Sequence, residues 1–225
     1  MSDKMVRVVE ILLSSFLPLL KAGLMFTVPL TILSFLLGTI IAFAVAIVRI
    51  SGIKPLNAIA AFYVWIIRGT PLLVQLFIIF FGLPSIGVTL DRMVSAIIGF
   101  TLNVGAYSSE TIRAAILSVP DGQWEAAHAL GLSKRQTLFH VILPQAVKVA
   151  IPPLSNSFIS LVKDTSLAAA ITVTELFQVA QQITARTYEP LWLYTEAAFI
   201  YLMFCTVLTF FQSRLEIRFG KHGAQ

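Results

Sequence analysis

Long apolar stretches separated by short polar ones set the pattern of this chain. A helix that crosses a bilayer needs about 20 mostly apolar residues. The first such stretch covers residues 22–48 and is closed by Arg49 and Lys54. The second covers 56–83 and carries Arg68 inside it, and the third, 93–117, contains Asn103, Glu110 and Arg113. The fourth, 147–162, is shorter and is interrupted by Pro152 and Pro153; the fifth, 191–211, is the cleanest. Roughly five spanning helices follow, in one all-α polytopic domain over residues 1–225. Ahead of them, residues 1–20 predict an amphipathic helix lying on the membrane surface, with Pro18 expected to end it.

One polar insert interrupts the pattern. Residues 121–146, DGQWEAAHALGLSKRQTLFHVILPQA, predict a short helix-turn-helix between the third and fourth crossings. Pro120 stands near the first helix start and Gly131 just after Leu130, the usual punctuation of a short helix. The second helix starts at Ser133, and Gln136 three residues later has capping-box spacing. Pro144 is expected to close or kink it. The first helix carries Trp124, Ala127 and His128 along one face, and Ala126, Ala127 and Ala129 keep it slim enough for a second backbone to approach. Two readings fit these residues: a helix that plugs into a groove on a peripheral partner, and an interfacial connector with no partner.

Composition agrees with the membrane reading. The chain has 225 residues, 57% hydrophobic and only 12% charged, with a mean hydropathy of +0.87. Soluble domains carry about 25% charged residues. The net charge of +5 does not mark a nucleic-acid surface, because the basic residues form no stripe with stacking aromatics. They concentrate where loops end. With the N-terminus outside, the cytoplasmic segments collect Arg49, Lys54, Lys134, Arg135, Lys148, Arg214, Arg218 and Lys221, which favours N-out, C-in. Lys4, Arg7 and Lys21 argue the other way. The single Cys205 allows no disulfide framework and no cysteine metal site. His128, His140 and His222 lack ligand spacing, so no metal is expected. Trp65, Trp192, Tyr188 and Tyr194 read as interfacial belt residues, and the phenylalanines as lipid-facing or core filler.

The insert resembles a known motif. Glu125, Ala126 and Ala127, then Gly131, then Val141, Leu143 and Pro144 match the EAA loop of type I ABC importer permeases, departing only at Val141, where isoleucine is usual. Arg68-Gly69-Thr70-Pro71-Leu72-Leu73-Val74-Gln75 is similar to a segment of permeases for polar amino acids. Lys163-Asp164-Thr165-Ser166-Leu167, followed by Glu175-Leu176, is similar to another block of that subfamily. More narrowly, residues 152–167 look like the L-cystine permease branch.

This resemblance implies a permease subunit in a bacterial inner membrane. It would import a polar amino acid, L-cystine first, with arginine, histidine or glutamine as alternatives. Its implied partners are a cytoplasmic ABC ATPase dimer, an extracytoplasmic solute-binding protein, a second permease copy in a homodimer, and membrane lipid. Residues 121–146 would be the cytoplasmic coupling loop, with Glu125, Ala126, Ala127, Gly131, Leu143 and Pro144 as its ATPase-coupling residues. The sequence has no G-x-x-x-x-G-K-[ST], so no cofactor and no catalytic residue is expected in this chain; ATP and Mg belong to the partner ATPase.

Polar groups inside apolar stretches cost about 2.5–3.5 kcal/mol each on insertion scales, so each needs a reason. Arg68, with Thr70 and Gln75 nearby, either faces the translocation path or pairs with an acid such as Glu110. Glu110 and Arg113, three apart, read as a structural pair; in the rival reading of an ion-coupled secondary transporter, Glu110 would be the carrier. Asn156, Ser160 and Lys163 fall on one helix stripe. The prolines upstream suggest a broken helix bordering a cavity, where Asp164 and Lys163 or Arg68 would meet a zwitterion. Alternatively, Lys163 and Asp164 form a salt bridge at the helix end. Asn103 reads as interhelical glue.

Overall fold

The computed structural model describes residues 3–220; Lys221 and His222, named above, lie outside them. Among the described residues all regular structure is helical. Helix α1 (Asp3–Ala22) passes through a π-turn at Gly23–Thr27 into α2 (Val28–Ile50) without a break. The resulting helix, Lys4–Ile50, has 47 residues, about 70 Å at 1.5 Å per residue, roughly twice the thickness of a hydrocarbon core. Pro18 therefore does not end the first helix. Proline removes one backbone bond, but an apolar medium offers the freed groups nothing better than the helix itself. Just upstream, the Ser14 and Ser15 hydroxyls add bonds by donating to the Ile11 carbonyl at 2.9 and 2.8 Å.

The second apolar stretch is not one rod. Helix α3 (Lys54–Gly69) stops, and α4 (Leu72–Phe77) continues through a π-turn at Ile78–Gly82 and a 3-10 turn at Leu83–Ile86. The two limbs are bent by 104°. The cause is local: Pro71 pushes the preceding residue out of the α region, and Thr70 sits at φ −121°, ψ 146°. Arg68 thus stands in the last turn of α3, next to the bend.

Helix α5 (Arg92–Leu117) has 26 residues, about 39 Å. It corresponds to the expected third crossing, although its polar residues hold its hydropathy below that of the other spans. Next come α6 (Asp121–Ala129) and α7 (Lys134–Gln136), which runs through a π-turn at Thr137–Ile142 into α8 (Leu143–Asp164) and a 3-10 turn at Thr165–Ile171. Neither Pro144 nor the Pro152–Pro153 pair breaks this 38-residue run, contrary to expectation. The Leu143 N–H reaches back to the Leu138 carbonyl, a wide turn that accommodates Pro144. The Ser157 hydroxyl donates to the Pro153 carbonyl at 3.0 Å. The chain closes with α9 (Leu176–Thr187) and α10 (Pro190–Gly220). Among the described residues three helices are long and apolar enough to span, Lys4–Ile50, Lys134–Ile171 and Pro190–Arg214, and the bent pair adds a fourth where both limbs count as one span.

The chain divides into two compact units. The first comprises Met1–Phe35, Pro71–Phe100 and Phe158–Thr209. Its core joins Leu19 of α1 to Leu176 and Ala180 of α9 and Ala197 and Ile200 of α10. Arg7 Nη2 donates to the Thr187 carbonyl at 3.0 Å, placing a cation on the C-terminus of α9, where the helix dipole favours it.

The second unit comprises Leu36–Thr70, Thr101–Ser157 and Phe210–Gln225. Its core joins Ala42 and Ala46 of α2 to Ile112 and Ile116 of α5 and to Ile142, Ala146 and Ala150 around the start of α8. Small residues let these helices approach closely: a Cβ on Gly38 would lie 2.6 Å from the Val104 side chain and 3.0 Å from the Thr101 carbonyl. Gly38→Leu is expected to lower stability by about 1–3 kcal/mol through overpacking, measured as thermal unfolding in detergent. Gly122→Ala, a site with no atom within 4 Å of an added Cβ, serves as the control and is expected not to destabilise.

Candidate functional site

Two places in the structure gather the residues singled out from sequence: the hairpin around α6 in the second unit and a cavity in the first.

The hairpin is built on local rules. Pro120 precedes α6, and Asp121 stands in its first turn, the favoured end for an acid. At the other end the Gly131 N–H donates to the His128 carbonyl at 2.9 Å and the Leu132 N–H to the Ala127 carbonyl at 3.1 Å, a Schellman closure. Gly131 sits at φ +80°, which a side chain disfavours. The Ser133 hydroxyl accepts from the Gln136 N–H at 3.4 Å and the Gln136 Oε1 accepts from the Ser133 N–H at 2.9 Å, so the capping box forms as its spacing predicts. Gln145 Nε2 donates to Gln123 Oε1 at 3.1 Å and ties the two arms together.

Burial divides the motif residues into two sets. Ala127 is buried, Leu143 is in the core, and Trp124 and Val141 pack against that core. Glu125, Ala126, Ala129 and Pro144 are exposed, and Leu130 is 82% exposed. One side of α6 is thus seated on the unit while the other presents a slim face with the carboxylates of Asp121 and Glu125, and the large apolar Leu130 at its end.

In the same unit Glu110 receives two arginines. Arg49 Nη1 lies 2.9 Å from Oε1, and Arg113 reaches Oε2 through Nη2 at 2.8 Å and Nε at 3.1 Å. The Glu110–Arg113 pair is therefore structural, and this carboxylate is not free to carry an ion. Arg68 does not join it: its guanidinium lies 5.2 Å from the Tyr107 ring centroid, a cation–π contact. The Thr70 hydroxyl donates to the Ile66 carbonyl at 2.8 Å. Gln75 lies in the first unit and is buried. Asn156, in the second unit, is engaged by protein: its Oδ1 accepts from Gln212 Nε2 at 2.8 Å, fixing α8 to α10.

Ser160, Lys163 and Asp164 lie in the first unit, on exposed positions of α8. Among the described residues the ion pairs are those of Glu110, and Lys163 with Asp164 is not one of them. Lys163 borders a cavity of about 550 Å³, together with Ser166, Phe177, Tyr194, Tyr201 and Cys205. That volume is in the range of small-molecule sites. The walls are mostly apolar, with one ammonium and three hydroxyls; among the described residues Asp164 is not part of the lining, nor is any other carboxylate. Periodicity missed Phe177, Tyr194 and Tyr201, because an aromatic facing a cavity and one facing lipid look alike in a sequence.

A buried acid stands behind this cavity. Glu175, fully buried, precedes α9 and caps it: one oxygen accepts from the Gln178 N–H at 2.7 Å, the other from the Tyr201 hydroxyl at 2.7 Å and from the Thr27 hydroxyl at 3.5 Å. Burial pushes its carboxyl above the ordinary carboxylate range, and these donors pull it back in part. The one signal in sequence is an acid three residues before Gln178 at a helix start.

Long apolar helices joined by a short polar hairpin mark a membrane-spanning protein. Residues 35–221 match the family of binding-protein-dependent transport system inner membrane components, and the chain belongs to that family. It is 54% identical over 217 residues to the L-cystine transport system permease protein TcyB of Bacillus subtilis (strain 168), covering 96% of this chain and 93% of that protein. It is 38% identical over 188 residues to the probable glutamine ABC transporter permease protein GlnM of the same organism, covering 84% and 85%. Among solved structures, the crystal structure of an amino acid ABC transporter with histidines superposes with a TM-score of 0.86 at 34% identity, covering 92% and 96% of the two chains.

Gly131→Ala is expected to cost the hairpin about 1 kcal/mol, because only glycine takes this φ freely. Hydrogen exchange would show it as faster exchange at Gly131, Leu132 and the end of α6, with α10 unchanged.

Proposed function

We propose that this chain is the permease subunit of an ATP-driven importer for L-cystine. Two copies form the membrane path, a cytoplasmic ABC ATPase dimer supplies ATP and Mg chemistry, and an extracytoplasmic solute-binding protein delivers the substrate. The chain would sit in a bacterial inner membrane with its N-terminus outside and its C-terminus inside, which puts the α6 hairpin in the cytoplasm beside the ATPase. The observation that carries the reading is the 54% identity to a cystine permease along 96% of the chain.

The geometry supports the same division of labour. Glu125, Ala126, Ala129 and Leu130 present an open face while Trp124 and Leu143 anchor the hairpin, as a docking element that must transmit force requires. Gly131 and Pro144 shape its two arms. On the membrane side, the cavity beside Lys163 offers a cation to a substrate carboxylate, with hydroxyls from Ser166 and Tyr194 for the remaining polar atoms and the ring of Tyr201 as wall. A lone ammonium suits a substrate with acidic groups and disfavours arginine, whose side chain adds a second positive charge. Ser160 and Asp164 lie on exposed positions of the same helix as Lys163; Arg68, Thr70 and Asn156 are engaged with Tyr107, Ile66 and Gln212.

Two experiments test this. Proteoliposomes holding the permease with its ATPase and binding protein are expected to take up labelled L-cystine on ATP addition, with histidine, arginine and glutamine competing weakly; uptake of arginine without cystine would end the cystine reading. Glu125→Lys is expected to reduce ATP-driven uptake to background while membrane insertion and yield stay at the wild-type level. A normal uptake rate in that variant would remove Glu125 from the docking face.

A further inference from the structure

Glu175 is a carboxylate with no counter-ion at its side: among the described residues its partners are the Tyr201 and Thr27 hydroxyls and backbone N–H groups at the start of α9. Removing such a group from water is costly, and an apolar side chain would fill the same volume without that cost. What the carboxylate does, and an apolar group does not, is hold several elements in one geometry. Its first oxygen caps α9, and its second takes the phenol of α10. The Thr27 hydroxyl, in the π-turn between α1 and α2, approaches that second oxygen and also accepts from the Leu176 N–H at 3.4 Å. Two of the parts so held are cavity wall: Tyr201 itself, and Phe177, two residues beyond Glu175.

From this geometry we infer that Glu175 is a positioning residue for the substrate cavity, fixing the distance between the Tyr201 and Phe177 walls without touching substrate. This rests on the reading of that cavity as the cystine site. The same side chain explains why the phenol does not turn toward the cavity ammonium: its proton is committed to Glu175. The substrate would therefore meet the ring of Tyr201 in one orientation, with its hydroxyl facing away from the lumen of the cavity.

The sole cysteine of this chain reports on the proposal, because Cys205 lies on the cavity wall. In the reconstituted complex, labelling of Cys205 by a maleimide is read by mass spectrometry of this chain, with increasing L-cystathionine as protectant. This probe keeps the two amino acid ends of cystine but, as a thioether, cannot exchange with the thiol. L-Cystine uptake is measured alongside. Wild type is expected to be protected. Glu175→Ala and Tyr201→Phe are expected to raise the half-protecting concentration and the KM of uptake about tenfold, with the maximal rate within about twofold. Glu175→Gln, which keeps an acceptor for the α9 cap and a partner for the phenol, is expected to restore most of the loss. Tyr201→Phe removes only the phenol hydroxyl and keeps the ring, so it carries the test if the alanine variant does not fold. Wild-type protection with unchanged half-protecting concentrations in the variants would overturn the positioning role alone. Absence of protection in the wild type would overturn the cavity reading and this inference together.

Discussion

Movement can pass through a short helix only if that helix is fixed to something larger, and the seating of α6 on the core of the second unit is the contact on which the rest depends. Trp124 packs against the core that holds Ile116, Ile142 and Ala146, Ala127 is buried, and the Gln123–Gln145 bond ties the arms. The second arm is not a separate helix; it runs directly into α8. A displacement of the hairpin is thus a displacement of one end of a helix that continues through the membrane. Without Trp124 against that core, the exposed face of Glu125, Ala126 and Leu130 would be a loose appendage.

The apolar surroundings impose a second constraint, visible at the prolines. Pro18, Pro152 and Pro153 lie within continuous helical runs, although each removes a backbone donor. In water a freed carbonyl finds another partner; in hydrocarbon it does not, so the chain keeps the helix and absorbs the defect locally. Nearby serine hydroxyls add bonds, and π-turns widen the coil at Gly23–Thr27 and Thr137–Ile142. Pro71 differs because Thr70 has already left the helical region, and there the chain turns through 104°. One residue type has two outcomes, and its neighbours choose between them.

Buried charge is handled in two ways. Glu110 is paired with two arginines, so its charge is more than offset and its site is a brace. Glu175 has only neutral donors, so its position is fixed by directional bonds to parts of the cavity wall. The Lys163 cavity lies between these extremes: mostly apolar, with a single ammonium on its wall.

What the sequence determined by itself were features set by near neighbours: the long apolar helices, the capping box at Ser133–Gln136, the turn at Gly131 and the hairpin that carries the family motif. Each depends on spacings of a few residues, and spacing is what a sequence records. The tertiary structure alone decided which motif residues are buried and which are free, that Glu110 is shared by Arg49 and Arg113, that Asn156 belongs to Gln212, and that Tyr201 and Phe177 face a cavity with Glu175 behind them. Apart from the local Glu110–Arg113 and Glu175–Phe177 pairs, those partners lie 26 to 61 residues apart in the chain. Their pairing depends on how helices pack, and no local periodicity distinguishes an aromatic ring turned toward a cavity from one turned toward lipid.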